Sequence, residues 1–119
     1  MPVDILEVRA FLKRRERERN EREAALRREV LKRLDRIWPV LERYLVKEAF
    51  LFGSLEKGGF RESSDVDIAV RIGRDVDFWG LWRELEEALG WEVDLRELRG
   101  GRFEKLVRKT GRQLWPRPG

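Results

Sequence analysis

The sequence predicts a small mixed α/β domain of the α+β type, with helices on one face of a mixed β-sheet and a long N-terminal helical extension. Three observations predict it. Residues 4–45 contain no glycine and place apolar side chains at helical spacing toward their end. Residues 48–52, 65–72 and 91–98 are short apolar or alternating segments, which is typical of strands. Residues 75–89 return to helical spacing and end before a glycine.

The composition excludes several kinds of chemistry. The 119 residues include no cysteine and no histidine, so disulfides, thiol catalysis, thiolate metal sites and a histidine base are excluded. A metal site would need oxygen ligands, which favours magnesium, manganese or calcium. No apolar run is long enough to span a membrane, and the start MPVDILEVRAFLKRR does not resemble a secretory signal. We therefore expect a cytoplasmic protein without a membrane partner.

The N-terminal region is expected to differ from the rest of the chain. We predict a charged helical extension over residues 1–25 and a compact domain over residues 26–119. Between Lys13 and Glu23 no residue is apolar, so a helix there has no face to bury and is either solvated or bound to a partner. A small apolar patch precedes it and is expected either to dock onto the same chain or to contact a partner: Ile5, Val8, Phe11 and Leu12.

The positive charge of the chain is concentrated in residues 9–36, which hold 12 Arg and Lys against 6 Asp and Glu. A basic helix of this kind could bind the backbone of a nucleic acid. The acidic residues alternate with the basic ones and weaken the field, so a solvated or partner-bound helix is the favoured interpretation. Direct nucleic-acid binding is the less favoured alternative.

Turn residues and periodicity place the remaining elements. Pro39 predicts a bend in the first helix near residues 37–38. Residues 55–64 are expected to form a loop or a short helix, residues 103–109 a short helix, and residues 113–115 a final short strand. The tryptophans are expected in the core or an interface, with stacking on a nucleotide base as the alternative for one of them: Trp38, Trp79, Trp82, Trp91 and Trp115.

Two features of the central region point to phosphate and metal chemistry. Gly53 and Ser54 follow the apolar strand 48–52, and a Gly-Ser bend lets backbone N–H groups approach phosphate oxygens. Asp65 and Asp67 stand two residues apart at the start of the next strand, so both carboxylates face one side of the sheet. Such a pair suits a magnesium ion shared with substrate phosphates. Taken alone, the first feature is most often a simple turn and the second a solvated strand end.

A third carboxylate strengthens this interpretation. Asp94 lies in the following strand, and it reaches the same place if that strand pairs next to residues 65–72; the alternative is an exposed strand position. The spacing of Gly53 and Ser54 from Asp65 and Asp67 arises by chance on the order of once in several hundred chains of this length.

The segment LFGSLEKGGFRESSDVDIAV resembles the signature of the DNA polymerase β-type nucleotidyltransferase superfamily. The chain is most similar to the minimal nucleotidyltransferases, which are often encoded beside a HEPN-domain partner. The resemblance covers about residues 30–115 and implies a polymerase β-like fold. The matching positions are Gly53, Ser54, Gly58, Ser64, Asp65, Asp67 and Asp94.

The resemblance also implies roles for these residues. Asp65 and Asp67 would hold two magnesium ions, and Asp94 would share one of them and help to activate the attacking hydroxyl. Gly53 and Ser54 would bind the outer phosphates of a nucleoside triphosphate, and the reaction would transfer a nucleotidyl group with release of pyrophosphate. Further candidate nucleotide-binding residues are Lys57, which stands near the place where the family often has arginine, Arg61, for which a plain surface position is the alternative, and Ser64.

For this family, the resemblance implies an antitoxin that transfers AMP from ATP to a tyrosine of a HEPN ribonuclease toxin and so neutralises it, within a hetero-oligomer. The alternative is a non-catalytic antitoxin that neutralises a HEPN toxin by binding. Transfer to a small molecule such as an aminoglycoside is disfavoured, because the chain lacks the helical domain that would enclose such a substrate, unless a second subunit supplies it.

Overall fold

The computed structural model describes residues 4–118. Helices and strands alternate along most of the chain, as the sequence predicts. No helix among these residues is long and apolar enough to cross a membrane. In chain order the elements are helix α1 (Ile5–Leu31), a 3-10 turn (Leu34–Ile37), helix α2 (Trp38–Arg43), strand β1 (Glu48–Phe52), helix α3 (Ser54–Lys57), strand β2 (Val66–Arg71), helix α4 (Phe78–Leu89), strand β3 (Val93–Glu97), helix α5 (Gly101–Thr110) and strand β4 (Arg112–Trp115).

The four strands form one mixed sheet in the order β3-β2-β1-β4. Strand β1 pairs antiparallel with both β2 and β4, whereas β2 and β3 are parallel and are connected through α4. A parallel pair needs a crossover connection, and α4 packs on one face of the sheet as it leads from the end of β2 back to the start of β3. The predicted fold class is therefore confirmed.

The larger part of the core lies between one face of the sheet and the layer formed by the end of α1, the 3-10 turn, α2 and α4. Alternate residues of each strand face this layer, as the period of two requires. Asp77 caps the N-terminus of helix α4, and its carboxylate accepts a hydrogen bond from the N–H of Gly80 at 3.0 Å. Gly90 caps the C-terminus in a left-handed conformation. Residues with fully buried side chains include Ile37, Leu41, Leu51, Ile68, Leu81 and Leu85.

The opposite face of the sheet carries a second, smaller apolar cluster under α5. Phe50 and Ala69 face α5, where they are buried with Leu98 and Val107. The expectation that helices cover one face only was therefore incomplete. Strand β1 is apolar at every position from Ala49 to Phe52, and a strand that is apolar on both sides needs a cover on both sides.

Helix α1 projects from the body and gives the molecule a longest dimension of 69 Å, against 29 and 28 Å in the other directions. The helix ends at Leu31 rather than near Pro39, which lies in the first turn of α2, where proline is tolerated. The apolar patch near its start does not dock onto this chain, because Ile5, Phe11 and Leu12 stay 69%, 48% and 57% exposed. The expectation of docking onto the same chain was wrong.

Four of the five tryptophans pack against the core, as predicted, and Trp79 does not. Trp82 donates a hydrogen bond from Nε1 to the carbonyl of Val93 at 2.7 Å, and Trp91 donates one to the carbonyl of Ser64 at 2.7 Å. These bonds satisfy the indole N–H groups at the edge of the core. Trp79 remains 72% exposed.

A network of ion pairs joins α5 to the sheet. Glu48 accepts hydrogen bonds from Arg108 at 2.6 and 3.1 Å and from Arg71 at 3.1 Å, and Glu104 pairs with the same two arginines. The hydrogen bonds from Arg108, and then those from Arg71, hold the pKa of the Glu48 carboxyl below its usual range. The network therefore stabilises the fold only while these carboxylates are charged.

We expect Glu48→Gln to lower the free energy of unfolding at neutral pH by about 1 kcal/mol, because the pairs are partly exposed. The pKa of Glu48 is lower in the folded than in the unfolded state, so its contribution is complete above the ordinary value and disappears as the pH falls through the folded value. Urea unfolding at neutral pH and at about pH 3 measures this. The control is Glu87→Gln, an exposed helix position. An equal loss at both pH values would contradict the network.

Candidate active site

Three carboxylates lie at one end of the parallel strand pair. Asp67 in β2 is the register partner of Asp94 in β3, and Asp65 directly precedes β2. Burial, followed by the neighbouring charges of Asp94 and Asp65, raises the pKa of Asp67 to about 6. Arg96 acts in the opposite direction. The fold therefore holds mutually repelling carboxylates together, which is the arrangement that the sequence predicts.

The Gly53–Ser54 bend lies directly against these carboxylates. Phe52, the last residue of β1, is the register partner of Asp67, so the chain turns into α3 beside that side chain. At Gly53 the backbone has φ 71° and ψ −156°, a conformation that suits glycine alone. A Cβ at this position would lie 2.0 Å from Oδ2 of Asp67. Glycine is required here for two reasons, the backbone conformation and the contact with the carboxylate.

The carboxylates suit a magnesium ion that takes its remaining ligands from substrate. Among residues 4–118, no three Asp or Glu side chains converge closely enough to form a complete metal cage. Magnesium is usually bound by one or two carboxylates together with phosphates and water, so a partial donor set is what a nucleotide site needs. Burial, followed by the charges of Asp94 and Asp65, raises the pKa of Asp67, and a bound cation would offset both effects. The oxygen-only donor set and this repulsion both fit magnesium.

Arg96 lies next to the carboxylates on the same face of β3. Its Nη2 is 3.3 Å from Oδ2 of Asp94, and its guanidinium lies 5.7 Å from the centre of the Phe103 ring. Phe103 in turn meets Phe52 edge-on at 5.5 Å. The arginine was missed by the sequence analysis, because a charged residue on an alternating strand gives no signal of its own.

Two of the predicted nucleotide-binding residues have other contacts in the structure. The Oγ of Ser64 accepts a hydrogen bond from the N–H of Arg61 at 3.0 Å and closes the turn before Asp65. The side chain of Arg61 pairs with Glu23 of α1 at 3.2 Å. Lys57 is exposed at the end of α3. The structure therefore brings together Gly53 and the three carboxylates, while roles for Ser64, Arg61 and Lys57 in nucleotide binding stay predictions.

A second arginine, Arg27, binds helix α3, which follows the Gly53–Ser54 bend. Arg27 of α1 donates from Nε to the carbonyl of Leu55 at 2.6 Å and from Nη2 to the carbonyl of Glu56 at 2.7 Å. These carbonyls belong to α3, which has too few residues to satisfy them internally. Sequence reasoning missed Arg27, because its partners lie 28 and 29 residues away and nothing in the local pattern links them.

Comparison with known proteins identifies the family. Residues 27–113 match the model of the family described as nucleotidyltransferase domain. The chain belongs to this family. The resemblance seen in the sequence is therefore confirmed, and the matched part of this nucleotidyltransferase domain contains the Gly-Ser bend and all three carboxylates.

Two curated relatives are protein adenylyltransferases by name. The nucleotidyltransferase domain is 43% identical over 63 residues to the adenylyltransferase candidate MJ0435 of Methanocaldococcus jannaschii, a match that covers 50% of this chain and 68% of that protein. It is 38% identical over 71 residues to protein adenylyltransferase MntA of Shewanella oneidensis, covering 56% of this chain and 51% of MntA. The match thus spans about half the length of MntA.

Solved structures of toxin–antitoxin complexes share the fold. One is a crystal structure of a toxin–antitoxin complex with AMP-PNP, matched with a TM-score of 0.57 and 32% identity over 69% of this chain and 72% of that chain. Another is a complex of tri-AMPylated HEPN toxin of Shewanella oneidensis with MNT antitoxin, with a TM-score of 0.52 and 30% identity over 72% and 71% of the two chains. The nucleotidyltransferase domain therefore resembles, in fold and in sequence, chains found in toxin–antitoxin complexes.

Replacing Gly53 tests the contact between the bend and Asp67. We expect Gly53→Ala to cost more than 2 kcal/mol of stability, roughly 1–2 kcal/mol from the left-handed backbone and the rest from the clash. Gly59→Ala is the matched control, because φ is 78° there and a Cβ meets nothing within 4 Å. Thermal unfolding of both variants measures the difference. Equal losses of stability in the two variants would show that the carboxylate of Asp67 moves away from the added methyl group at no cost.

Replacing Asp67 tests the repulsion between the carboxylates. In the absence of metal we expect Asp67→Asn to stabilise the fold by about 1 kcal/mol, because it removes a partly buried charge beside two others. Magnesium should stabilise the original protein and leave the variant nearly unchanged. Thermal unfolding with and without magnesium decides this. A variant that is destabilised without metal, or stabilised by magnesium as strongly as the original, would contradict the assignment.

Proposed function

We propose that this protein is a magnesium-dependent adenylyltransferase, an antitoxin that transfers AMP from ATP to a tyrosine of a HEPN-domain toxin and thereby neutralises it. The observation that carries the proposal is the close approach of the Gly53 backbone to Asp67, which itself lies beside Asp94. In this proposal the bend binds the phosphates and the carboxylates bind the metal, and their adjacency supports the assignment.

The similarity to named adenylyltransferases supports the choice of AMP and of a protein acceptor. The similarity to antitoxins in complexes with an AMPylated HEPN toxin or with AMP-PNP supports the toxin partner and ATP as substrate. The protein would work as a hetero-oligomer with its toxin in the cytoplasm. A transfer to a tyrosine follows from the resemblance to the minimal nucleotidyltransferases.

The residues divide the reaction between them. Asp65 and Asp67 would hold the magnesium ions and Asp94 would share one, and the bound metal supplies charge stabilisation for the attacking and leaving oxygens. The backbone and hydroxyl at Gly53 and Ser54 hold the outer phosphates, so pyrophosphate departs on the β1 side. Asp94 faces the acceptor on the β3 side and takes its hydroxyl proton. This scheme needs no histidine, and the chain has none.

The second candidate is a non-catalytic antitoxin that neutralises a HEPN toxin by covering it. The exposed apolar patch on α1 favours a binding surface of this kind. Replacing the carboxylates distinguishes the two functions, because only the enzyme needs these side chains. Neutralisation that survives replacement of both Asp65 and Asp67 by Asn would favour the binding function.

We expect Asp67→Asn to reduce AMP transfer by roughly 100-fold or more, because the charge that positions the metal is lost. The measurement is transfer of label from α-labelled ATP to a HEPN-domain protein encoded beside this chain, with magnesium present. Asp75→Asn, in the exposed loop before α4, is the control and should transfer normally. Transfer at the original rate by the Asp67 variant, or no transfer by the intact folded pair, would contradict the proposed function.

A further inference from the structure

One turn of helix α1 faces the body of the molecule with two charged side chains. Along residues 21–30 the positions that turn toward the body are Glu23, Leu26, Arg27 and Val30, and the other positions stay exposed. This spacing marks one face of a helix, and such a face is ordinarily apolar where it packs on a core. Leu26 and Val30 follow that rule and pack against the core. Glu23 and Arg27 depart from it, and both have partners in segments that flank the candidate active site.

Arg27 holds helix α3, which begins at the Gly53–Ser54 bend. The backbone hydrogen bonds of this short helix end on the carbonyls of Gly53 and Ser54. The next two carbonyls, of Leu55 and Glu56, accept hydrogen bonds from the guanidinium of Arg27 at 2.6 and 2.7 Å. A charged donor makes a stronger hydrogen bond than a neutral one. The orientation of α3, and of the bend at its start, therefore depends on Arg27.

Glu23 holds the turn that precedes Asp65. Its carboxylate pairs with Nε of Arg61 at 3.2 Å. Arg61 opens a turn that Ser64 closes, because the N–H of Ser64 donates to the carbonyl of Arg61 at 2.9 Å and the N–H of Arg61 donates to Oγ of Ser64 at 3.0 Å. Asp65 comes directly after this turn and before the first residue of β2. Strand pairing alone therefore does not fix Asp65, and the turn contributes to its position.

The two contacts come from a single turn of α1. Glu23 and Arg27 stand four residues apart, which places their side chains next to each other on the helix. Val30, one turn further on, is fully buried and anchors this part of α1 in the core. Strands β1 and β2 are antiparallel neighbours, so the end of β1 and the start of β2 lie at the same end of the sheet. Helix α1 joins the two segments at that end.

We propose that Arg27 and Glu23 are positioning residues of the nucleotide site, which hold the Gly53–Ser54 bend and Asp65 in the arrangement that binds ATP and magnesium. The inference rests on the proposed function. Arg27 acts through α3 on the phosphates, and Glu23 acts through Arg61 on the metal. Arg27 has the larger effect, because it donates two hydrogen bonds to backbone, whereas the partner of Glu23 is largely exposed.

Replacing Arg27 tests the first contact through the affinity for nucleotide. With Arg27→Ala, we expect the Kd of the full chain for a non-hydrolysable ATP analogue with magnesium, measured by calorimetry, to rise by roughly tenfold or more. Arg27→Lys should lose less, because an ammonium group keeps the charge but lacks the fork that reaches two carbonyls at once. Arg28→Ala is the matched control, since it removes the same charge from the exposed side of α1. It should leave the Kd within about twofold.

Replacing Glu23 tests the second contact. We expect Glu23→Gln to raise the same Kd by a smaller factor, roughly two- to fivefold, because an exposed ion pair contributes little. Glu21→Gln, on the exposed side of α1, is its control. A purely structural role would lower the melting temperature without changing the affinity of folded molecules. All variants are therefore compared at a temperature where thermal unfolding shows each of them to be folded.

The kinetics of AMP transfer give a second measurement. We expect Arg27→Ala to raise the KM for ATP, while the KM for the HEPN-domain acceptor stays within about twofold. A general loss of folded enzyme would lower the rate and leave both constants unchanged. A rise in the KM for the acceptor alone would overturn the inference, because Arg27 would then act on the partner rather than on the nucleotide.

Three further results decide the inference. An unchanged Kd in folded Arg27→Ala would overturn it, and so would an equal rise in Arg28→Ala, because the effect would then come from the net charge of α1. If Arg27→Ala does not fold, Arg27→Lys takes its place, and a Kd equal to that of the original protein would overturn the inference. A folded original pair that neither binds the analogue nor transfers AMP would overturn the proposed function, and this outcome is seen before any variant is made.

Discussion

The contact between the backbone of Gly53 and the carboxylate of Asp67 constrains the rest of the site. It places the bend that would bind phosphates beside a carboxylate that would bind a cation, with no room for a side chain between them. Strand pairing sets the distance, because Phe52 and Asp94 are the register partners of Asp67 on its two sides. The sheet therefore sets the spacing between the Gly53–Ser54 bend at the end of β1 and the carboxylates of Asp67 and Asp94.

Placing three carboxylates close together lowers the stability of the fold, and interactions elsewhere in the fold offset this loss. Asp67 is partly buried beside two other carboxylates, and its raised pKa reports that cost. Apolar clusters on both faces of the sheet and the ion pairs of Glu48 with Arg71 and Arg108 provide stability away from the site. A bound cation would supply the missing positive charge, so binding of a nucleotide together with its metal would also relieve the repulsion.

Sequence patterns predicted the features that depend on short-range spacing. Strand β1 was predicted at its observed bounds, and the proximity of Asp67 and Asp94 followed from placing them in adjacent strands. Features that depend on distant partners were not predicted. Arg27 supports α3 from a helix 28 residues earlier, and α5 crosses to the second face of the sheet, where Val107 meets Phe50. No local period in the sequence encodes either contact.

The most direct test of this account is a crystal structure of the protein with manganese in place of magnesium and a non-hydrolysable ATP analogue. Anomalous scattering locates the metal independently of the model of the ligand. We expect a metal peak bound by the carboxylates of Asp65 and Asp67, with the outer phosphates against the backbone of Gly53 and Ser54. A triphosphate bound elsewhere, or a metal held without Asp67, would contradict it.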